Sequence, residues 1–448
     1  MKPYLHQKKS LKKYLSSDII FDTSDPGTGK TLPNLFAIKH YLKPGEKALV
    51  LCPKSIMMNV WYNEAKTLIP TLRIAVAYAE NRAQAFAANA DVYVTNHDAV
   101  KWLITQKPTF WKAFKILVID ESGAFKHHTS QRSKAAAKIA PYFMHRYLLN
   151  GTPFSNTITE VWHQAFLLDS GKRLGNSFYK FRDAVCTPER VGPNPNALKW
   201  TDKDGAENAV VALLKDVIVR NKFENCVSIP ATHYYTREYL LTTKQALVYR
   251  VLARERVLAL EKGTITAINA AAVATKLLQI SAGAVYADGV ASTIATDRAE
   301  LVLDLIEERD QCVVFFLWEH IRDALVLEAG KRKGAFAVID GSTSSKLREE
   351  HIANFQAGKI KAIFAHPQTA AHGITLTRGH TVIWFSPTYN YEHYKQGNAR
   401  VVRTGQKRKT EIINIIASGT LEEQVMEICM GKKKNLTAML EEVTETLK

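Results

Sequence analysis

Short apolar runs recur along the chain, each followed by a turn and a longer stretch of helix-forming residues. Residues 18–21, 48–52, 92–95, 116–119 and 147–149 make one such series. This rhythm predicts a parallel sheet wrapped by helices. It resumes at residues 312–316, 335–339, 362–365, 382–385 and 412–416, so two α/β lobes flank a different middle. That middle holds the loop Gly192-Pro193-Asn194-Pro195-Asn196 and otherwise mostly helical spacing, with residues 240–263 and 267–280 reading as long amphipathic or Ala-rich helices. The pattern predicts three parts: an N-terminal lobe over 1–165, a mostly helical insertion over 166–295, and a C-terminal lobe with terminal helices over 296–448.

Composition narrows the class. The chain has 448 residues, 46% of them hydrophobic and 23% charged, and no stretch approaches the ~18 uninterrupted apolar residues of a membrane span. A membrane protein and a disordered chain are both excluded. The first thirteen residues carry five lysines and no apolar core before a cleavage site, which predicts a protein without a secretory signal that stays in the cytoplasm. Five scattered cysteines with no Cys-x-x-Cys pair suit a reducing compartment and argue against a disulfide framework or a structural zinc. Lys and Arg number 60 against 43 Asp and Glu, a net charge of +17. Such an excess predicts attraction to a polyanion, with nucleic acid the commonest partner and a mere solubility effect the alternative.

The sharpest local signal is Ser24-Asp25-Pro26-Gly27-Thr28-Gly29-Lys30-Thr31, directly after the strand-like Ile19-Ile20-Phe21. A strand, a Gly-containing loop and a helix start form a phosphate cradle, because glycines let backbone N–H groups turn inward and a helix N-terminus favours negative charge. Lys30 is expected on the terminal phosphates and Thr31 on Mg²⁺. Ser24 replaces the usual first glycine of the loop. Ninety residues on, Ile116-Leu117-Val118-Ile119 ends at Asp120-Glu121, so Asp120 is the expected metal ligand and Glu121 the group that orients the attacking water. In the last third, Arg400 and Arg403 stand three apart, a spacing that places them on one helical face. They read either as a basic surface or as arginine fingers for a transferring phosphate.

These residues, in this order, resemble the motifs of the superfamily-two helicases. The stretches Asp25 to Thr31, Asp120-Glu121-Ser122 with Lys126, Leu149 to Asn156, and Gln396 to Gln406 carry the likeness. Gly151-Thr152-Pro153 with Asn156, and Arg400 and Arg403 before Gly405-Gln406, point to the Swi/Snf-type DNA translocases. The resemblance implies two RecA-like lobes, use of Mg²⁺ and ATP, and double-stranded or branched DNA as partner, with no membrane and a monomeric protein. Residue by residue it assigns Gln7 to adenine recognition, Asp25, Gly27, Thr28, Gly29, Gly373 and Gln396 to the nucleotide, and Thr152 to relaying nucleotide state. Lys54, Asn96 and Thr343 go to the DNA backbone. Residues 178–186 and Val219-Arg220-Asn221-Lys222 resemble the helical protrusions of such motors, and the compact length is similar to that of phage and bacterial members, whose cytoplasm would be bacterial or that of the host. Two departures stand out: the family's histidine after the Asp-Glu pair is absent, since the sequence reads Asp120-Glu121-Ser122-Gly123, and Ala399 and Val402 replace polar residues.

The sequence thus predicts an ATP-dependent translocase on duplex DNA. A strand-separating DNA or RNA helicase, and a non-catalytic nucleic-acid-binding scaffold, are the alternatives.

Overall fold

The structure is a computed structural model, and it describes all residues except 1–2, 152–156, 191–197, 227–228, 262–266, 288–289, 371–373 and 431–448. The chain divides into two compact units, Met1–Ser228 and Ile229–Lys448.

The first unit opens with helix α1 (Leu5–Tyr14) and strand β1 (Ile19–Asp22), followed by α2 (Thr31–Tyr41) and β2 (Lys47–Cys52). Strands β3 (Ile74–Ala77), β4 (Val92–Asn96), β5 (Phe114–Asp120) and β6 (His145–Leu149) come next, then α3 (Glu160–Asp169). β7 (Cys186–Arg190) and β8 (Leu198–Asp202) pair as a separate antiparallel hairpin, and β9 (Ile218–Val219) returns to the main sheet. That sheet has seven parallel strands in the order β3-β4-β2-β5-β6-β1-β9. Alternation along β5 shows why it is apolar throughout: Leu117 and Ile119 enter one core, while Ile116 and Val118 enter the core on the opposite face. A parallel sheet covered on both sides requires such doubly buried strands.

The second unit begins with β10 (Thr232–Tyr239), α4 (Thr243–Glu261) and α5 (Ala267–Ser281), then the hairpin β11 (Ala284–Ala287) and β12 (Val290–Thr293). α6 (Asp297–Glu307), β13 (Cys312–Phe315), β14 (Phe336–Ile339), β15 (Ala362–Ala365), β16 (Thr381–Trp384), α7 (Tyr391–Asn398), β17 (Thr410–Ala417) and α8 (Leu421–Cys429) complete it. Its six parallel strands run β10-β17-β16-β13-β15-β14. Cys312 and Val314 face one core, Val313 and Phe315 the other. The fold is therefore two parallel-sheet α/β lobes, as the pattern predicts.

The middle differs from the expected insertion. Residues 166–295 are shared between the units, because β9 pairs with β1 and β10 pairs with β17. Helices α4 and α5 match the expected ones, but two hairpins and two sheet strands accompany them. Val219 to Lys222, expected in a helical protrusion, instead ends β9 and continues as a segment that hydrogen-bonds to the loop after β1. Among the described residues no helix is long and apolar enough to cross a membrane.

Candidate functional site

Parallel strands place the loops after β1, β2, β4 and β5 at one edge of the first sheet. The loop after β1 is wound by Gly27 (φ 84°) and Gly29 (φ 76°), a left-handed region that favours glycine. Lys30 Nζ bends back to donate to the Ser24 carbonyl at 2.7 Å, and Thr28 Oγ1 donates to the Asp25 carbonyl at 2.8 Å. Thr31 opens α2 and is buried. Pro33 in the first turn sacrifices only an N–H that has no helical partner there.

Two other segments grip this loop. Helix α1 turns Gln7, Ser10 and Tyr14 inward. Gln7 Nε2 donates to the Gly29 carbonyl at 3.2 Å and lies 3.4 Å from that of Thr28, His6 Nε2 is 2.8 Å from the same Thr28 oxygen, and Tyr14 donates to Asp22 Oδ2 at 3.1 Å. Burial, with Asp22 adjacent, raises the Tyr14 hydroxyl well above its ordinary pKa. The second segment follows β9. Asn221 donates to Ser24 Oγ from its backbone N–H at 3.0 Å and from Nδ2 at 2.9 Å, and Arg220 pairs with Asp25 at 3.0 Å. Ser24, where the usual pattern has glycine, is thus fully buried and serves as an anchor. Asn221 and Arg220 carry no sequence signal for this role, since 197 residues separate Asn221 from Ser24.

β5 ends one strand away from β1, with β6 between them, a separation of about 10 Å at ordinary strand spacing. Asp120 Oδ2 accepts from Trp61 Nε1 at 3.0 Å and Oδ1 from the Glu121 N–H at 3.0 Å. Burial, joined by the Glu121 charge, pushes the Asp120 carboxyl up to about 7, and Lys30 pulls against that rise. Lys30 and Asp120 therefore share one electrostatic site. Glu121 sits in the left-handed region (φ 53°), a placement that costs a non-glycine residue about 1–2 kcal/mol and collects at functional turns. His97, at the end of β4, lies 2.7 Å from the Asp120 carbonyl through Nε2, so a histidine meets the Asp-Glu turn from another strand. Gln164 on α3 accepts from both Ser122 and Asn150, each at 2.8 Å, tying this turn to the end of β6. Lys126 pairs with Glu160 at 2.7 Å.

The Thr31 hydroxyl and the Asp120 carboxylate are hard oxygen donors, and among the described residues no cluster of three His, Cys, Asp or Glu could cage a metal. One carboxylate, one hydroxyl and substrate phosphates form a set that fits Mg²⁺. Lys54 is exposed beyond β2 with Nζ 5.8 Å from the Tyr78 ring, and Asn96 at the end of β4 accepts from Arg82 at 3.1 Å. Both lie at the same sheet edge as the phosphate loop.

In the second unit, Thr343 Oγ1 accepts from the Asp340 N–H at 3.0 Å. Burial opposes ionisation of Asp340, but Ser342 and Arg322 outweigh it and pull the carboxyl down to about 2. Gln396 is buried on α7 and donates to Glu392 at 3.1 Å. Arg400 and Arg403 correct the sequence reading, because α7 stops at Asn398 and both arginines lie in the turns beyond it. The helix ends where Trp384 takes the Asn398 side-chain oxygen at 2.9 Å and Gln406 folds back onto the Val401 carbonyl, with β-branched Val401 and Val402 between. The two guanidiniums nevertheless converge, Arg400 at 3.4 Å and Arg403 at 3.1 Å from the Ile374 carbonyl. Thr152 and Gly373 lie outside the described residues.

A family model described as the SNF2-related domain matches residues 10–282, more than half of the chain. The chain belongs to the SNF2-related family. A second model, the helicase conserved C-terminal domain, matches residues 297–405. The chain thus carries the helicase-like ATPase core of SNF2 proteins. It is 27% identical to protein p41 of Acyrthosiphon pisum secondary endosymbiont phage 1, over 93% of each chain. It is 26% identical to the human SWI/SNF-related matrix-associated actin-dependent regulator of chromatin subfamily A member 1, over 90% of this chain and 40% of that protein. An ATP-dependent helicase of Mycoplasma pneumoniae is 23% identical over 93% of this chain and 40% of its own length. The SNF2 chain described here therefore spans under half the length of these last two relatives. A solved structure, the Sulfolobus solfataricus SWI2/SNF2 ATPase core in complex with dsDNA, is 22% identical over 99% of this chain and 93% of that one, with a TM-score of 0.44.

Proposed function

We propose that this SNF2-family chain is an ATP-driven translocase on double-stranded DNA. The observation that supports it most is the gathering at one sheet edge of Lys30 and Thr31 after β1 with Asp120 and Glu121 after β5, where the Lys30 charge is felt at Asp120. Lys30 holds the terminal phosphates, while Thr31 and Asp120 offer the metal-facing oxygens. Mg²⁺, when bound, neutralises phosphate charge and polarises the transferring group. Glu121 orients the attacking water and takes its proton. Arg400 and Arg403 neutralise charge developing on the transferring phosphate. Gln7, through the carbonyls of Thr28 and Gly29, sets the shape of the cradle beside its adenine role, and Asp25, Gly27, Gly373 and Gln396 complete the nucleotide site. Thr152 relays nucleotide state.

Lys54, Asn96 and Thr343 contact backbone phosphates rather than base edges, which makes binding sequence-independent and salt-sensitive. The outcome of stepping is fork or branch remodelling, strand annealing or displacement of bound protein. One observation favours a second reading, strand separation. The β7–β8 hairpin exposes most of its residues, as a wedge between strands would require.

The deciding experiment measures ATP turnover by the purified chain alone and with duplex DNA, single strands, forks and RNA, next to Glu121→Gln. Duplex stimulation and a turnover loss of about 10² or more in the variant are expected. Stimulation by RNA but not duplex overturns the substrate, unchanged turnover in Glu121→Gln overturns the catalytic role, and strand displacement with the hairpin intact selects the second reading.

A further inference from the structure

Helix α1 has two opposite stripes. Gln7, Ser10, Leu11 and Tyr14 repeat at i, i+3, i+4 and i+7, and so do Leu5, Lys8, Lys9 and Lys12, two residues out of step. Two residues of α-helix turn about 200°, so the stripes point in opposite directions. The first is turned inward: Gln7 reaches Gly29, Ser10 Oγ accepts from Asn221 Nδ2 at 2.9 Å, and Tyr14 reaches Asp22. The second is exposed at all four positions. The helix has no acidic residue, and among the described residues Lys8, Lys9 and Lys12 make no ion pair within 4 Å. Lys13 differs, being half-buried with its charge felt at Asp216.

We infer that the Lys8–Lys9–Lys12 stripe is a docking surface for a duplex DNA backbone, and that phosphates seated there stiffen α1 and with it the phosphate loop. Lys8 to Lys12 spans about 6 Å of helix axis, which covers about two phosphates of one strand at 3.4 Å axial spacing. Apart from the Gln7 contact with the Tyr4 N–H at the helix start, the side-chain hydrogen bonds of the inward stripe end on the phosphate loop, on β1, on α2 through Asn34 and on the segment that anchors Ser24. A helix that rocks less holds the Thr28 and Gly29 carbonyls in one place, so duplex binding reaches the nucleotide site without touching it. This connection rests on the duplex-DNA reading above.

The test is a charge-removing variant, Lys8→Gln/Lys9→Gln/Lys12→Gln, beside Lys8→Arg/Lys9→Arg/Lys12→Arg, which keeps the charge. Duplex affinity is measured by fluorescence anisotropy between 50 and 200 mM salt, and ATP turnover is titrated with the same duplex. The Gln variant should need about tenfold more duplex for half-maximal stimulation, and its log affinity against log salt should be shallower by about 1.8, for two lost phosphate contacts. Its KM for ATP at saturating duplex should rise toward the duplex-free value, while the Arg variant tracks the parent. A parent that responds to duplex and a Gln variant with the same duplex requirement, salt slope and KM would overturn this inference alone. A parent whose turnover ignores all nucleic acids overturns the duplex reading as well.

Discussion

Gln7 Nε2 donates to the Gly29 carbonyl at 3.2 Å, and it also occupies the space that a Cβ on Gly29 would need. The loop is thus closed from outside by a side-chain amide that would have to shift, and give up this hydrogen bond, to admit a Cβ on Gly29. Gly29→Ala meets two penalties, the collision and a φ of 76°, the latter worth about 1–2 kcal/mol. The variant is expected to raise the KM for ATP about tenfold or more. Gln7→Ala added to it removes the collision but not the backbone strain. A double-mutant cycle on thermal stability and KM should therefore show partial rescue, and strict additivity would mean that the two residues do not act together.

Arg298 and Glu422 form a bidentate pair at 2.8 and 2.9 Å with both side chains out of water. Arg298 also donates to the carbonyls of Ile415 and Ser281, and Glu422 accepts from the Ala417 N–H, so one pair joins α5, α6, β17 and α8. Glu422→Gln leaves a buried guanidinium without its counter-charge and should destabilise the second unit by about 3–5 kcal/mol. Arg298→Met with Glu422→Leu removes both charges and should cost clearly less. Urea unfolding of the three proteins checks the order, and equal losses in the single and double variants would contradict it.

Acid should weaken both units through buried histidines. Burial lowers His163 in the first unit and His320 in the second, each from 6.5 to about 4. The unfolded chain takes up protons below its ordinary value of about 6.5, while the folded chain refuses them until about 4. Stability therefore falls as pH drops through that window, by up to about 3 kcal/mol per histidine. His163 lies 2.7 Å from the Phe125 carbonyl through Nδ1, a contact that a glutamine amide can imitate. Thermal unfolding at pH 7.5 and 5.0 should show a smaller acid shift for His163→Gln in the first-unit transition.

Much of this arrangement is legible in the sequence because doubly buried strands leave no room for polar residues. Every strand carrying the candidate site is an apolar run: β1, β2, β4, β5 and β6 in the first unit, and β13 to β17 in the second. β10 leaves no such trace, since its residues Thr232-His233-Tyr234-Tyr235-Thr236-Arg237-Glu238-Tyr239 lie at a sheet edge and are mostly exposed. The two-residue β9 offers no periodicity at all. The cradle and the Asp-Glu turn follow from local spacing, whereas Asn221, Trp61, His97 and Gln164 support them by contacts between distant parts of the chain. No local pattern encodes such pairings.

Arg400 and Arg403 share the Ile374 carbonyl but differ in burial. Arg400 is buried and also donates to the Gln396 carbonyl at 2.9 Å, whereas Arg403 is only partly buried. Truncating Arg400 strips buried carbonyls of a donor, at a cost of about 1–3 kcal/mol, so Arg400→Ala should lower both Tm and kcat. Arg403→Ala should leave Tm nearly unchanged while reducing duplex-stimulated kcat by about 10³. Arg403→Lys keeps the positive charge but not the planar fork of donors, and is expected to recover little of that rate. Separating the two readouts matters, because a structural arginine would move Tm and kcat together. Full turnover in a folded Arg403→Ala protein would overturn the role proposed for Arg403.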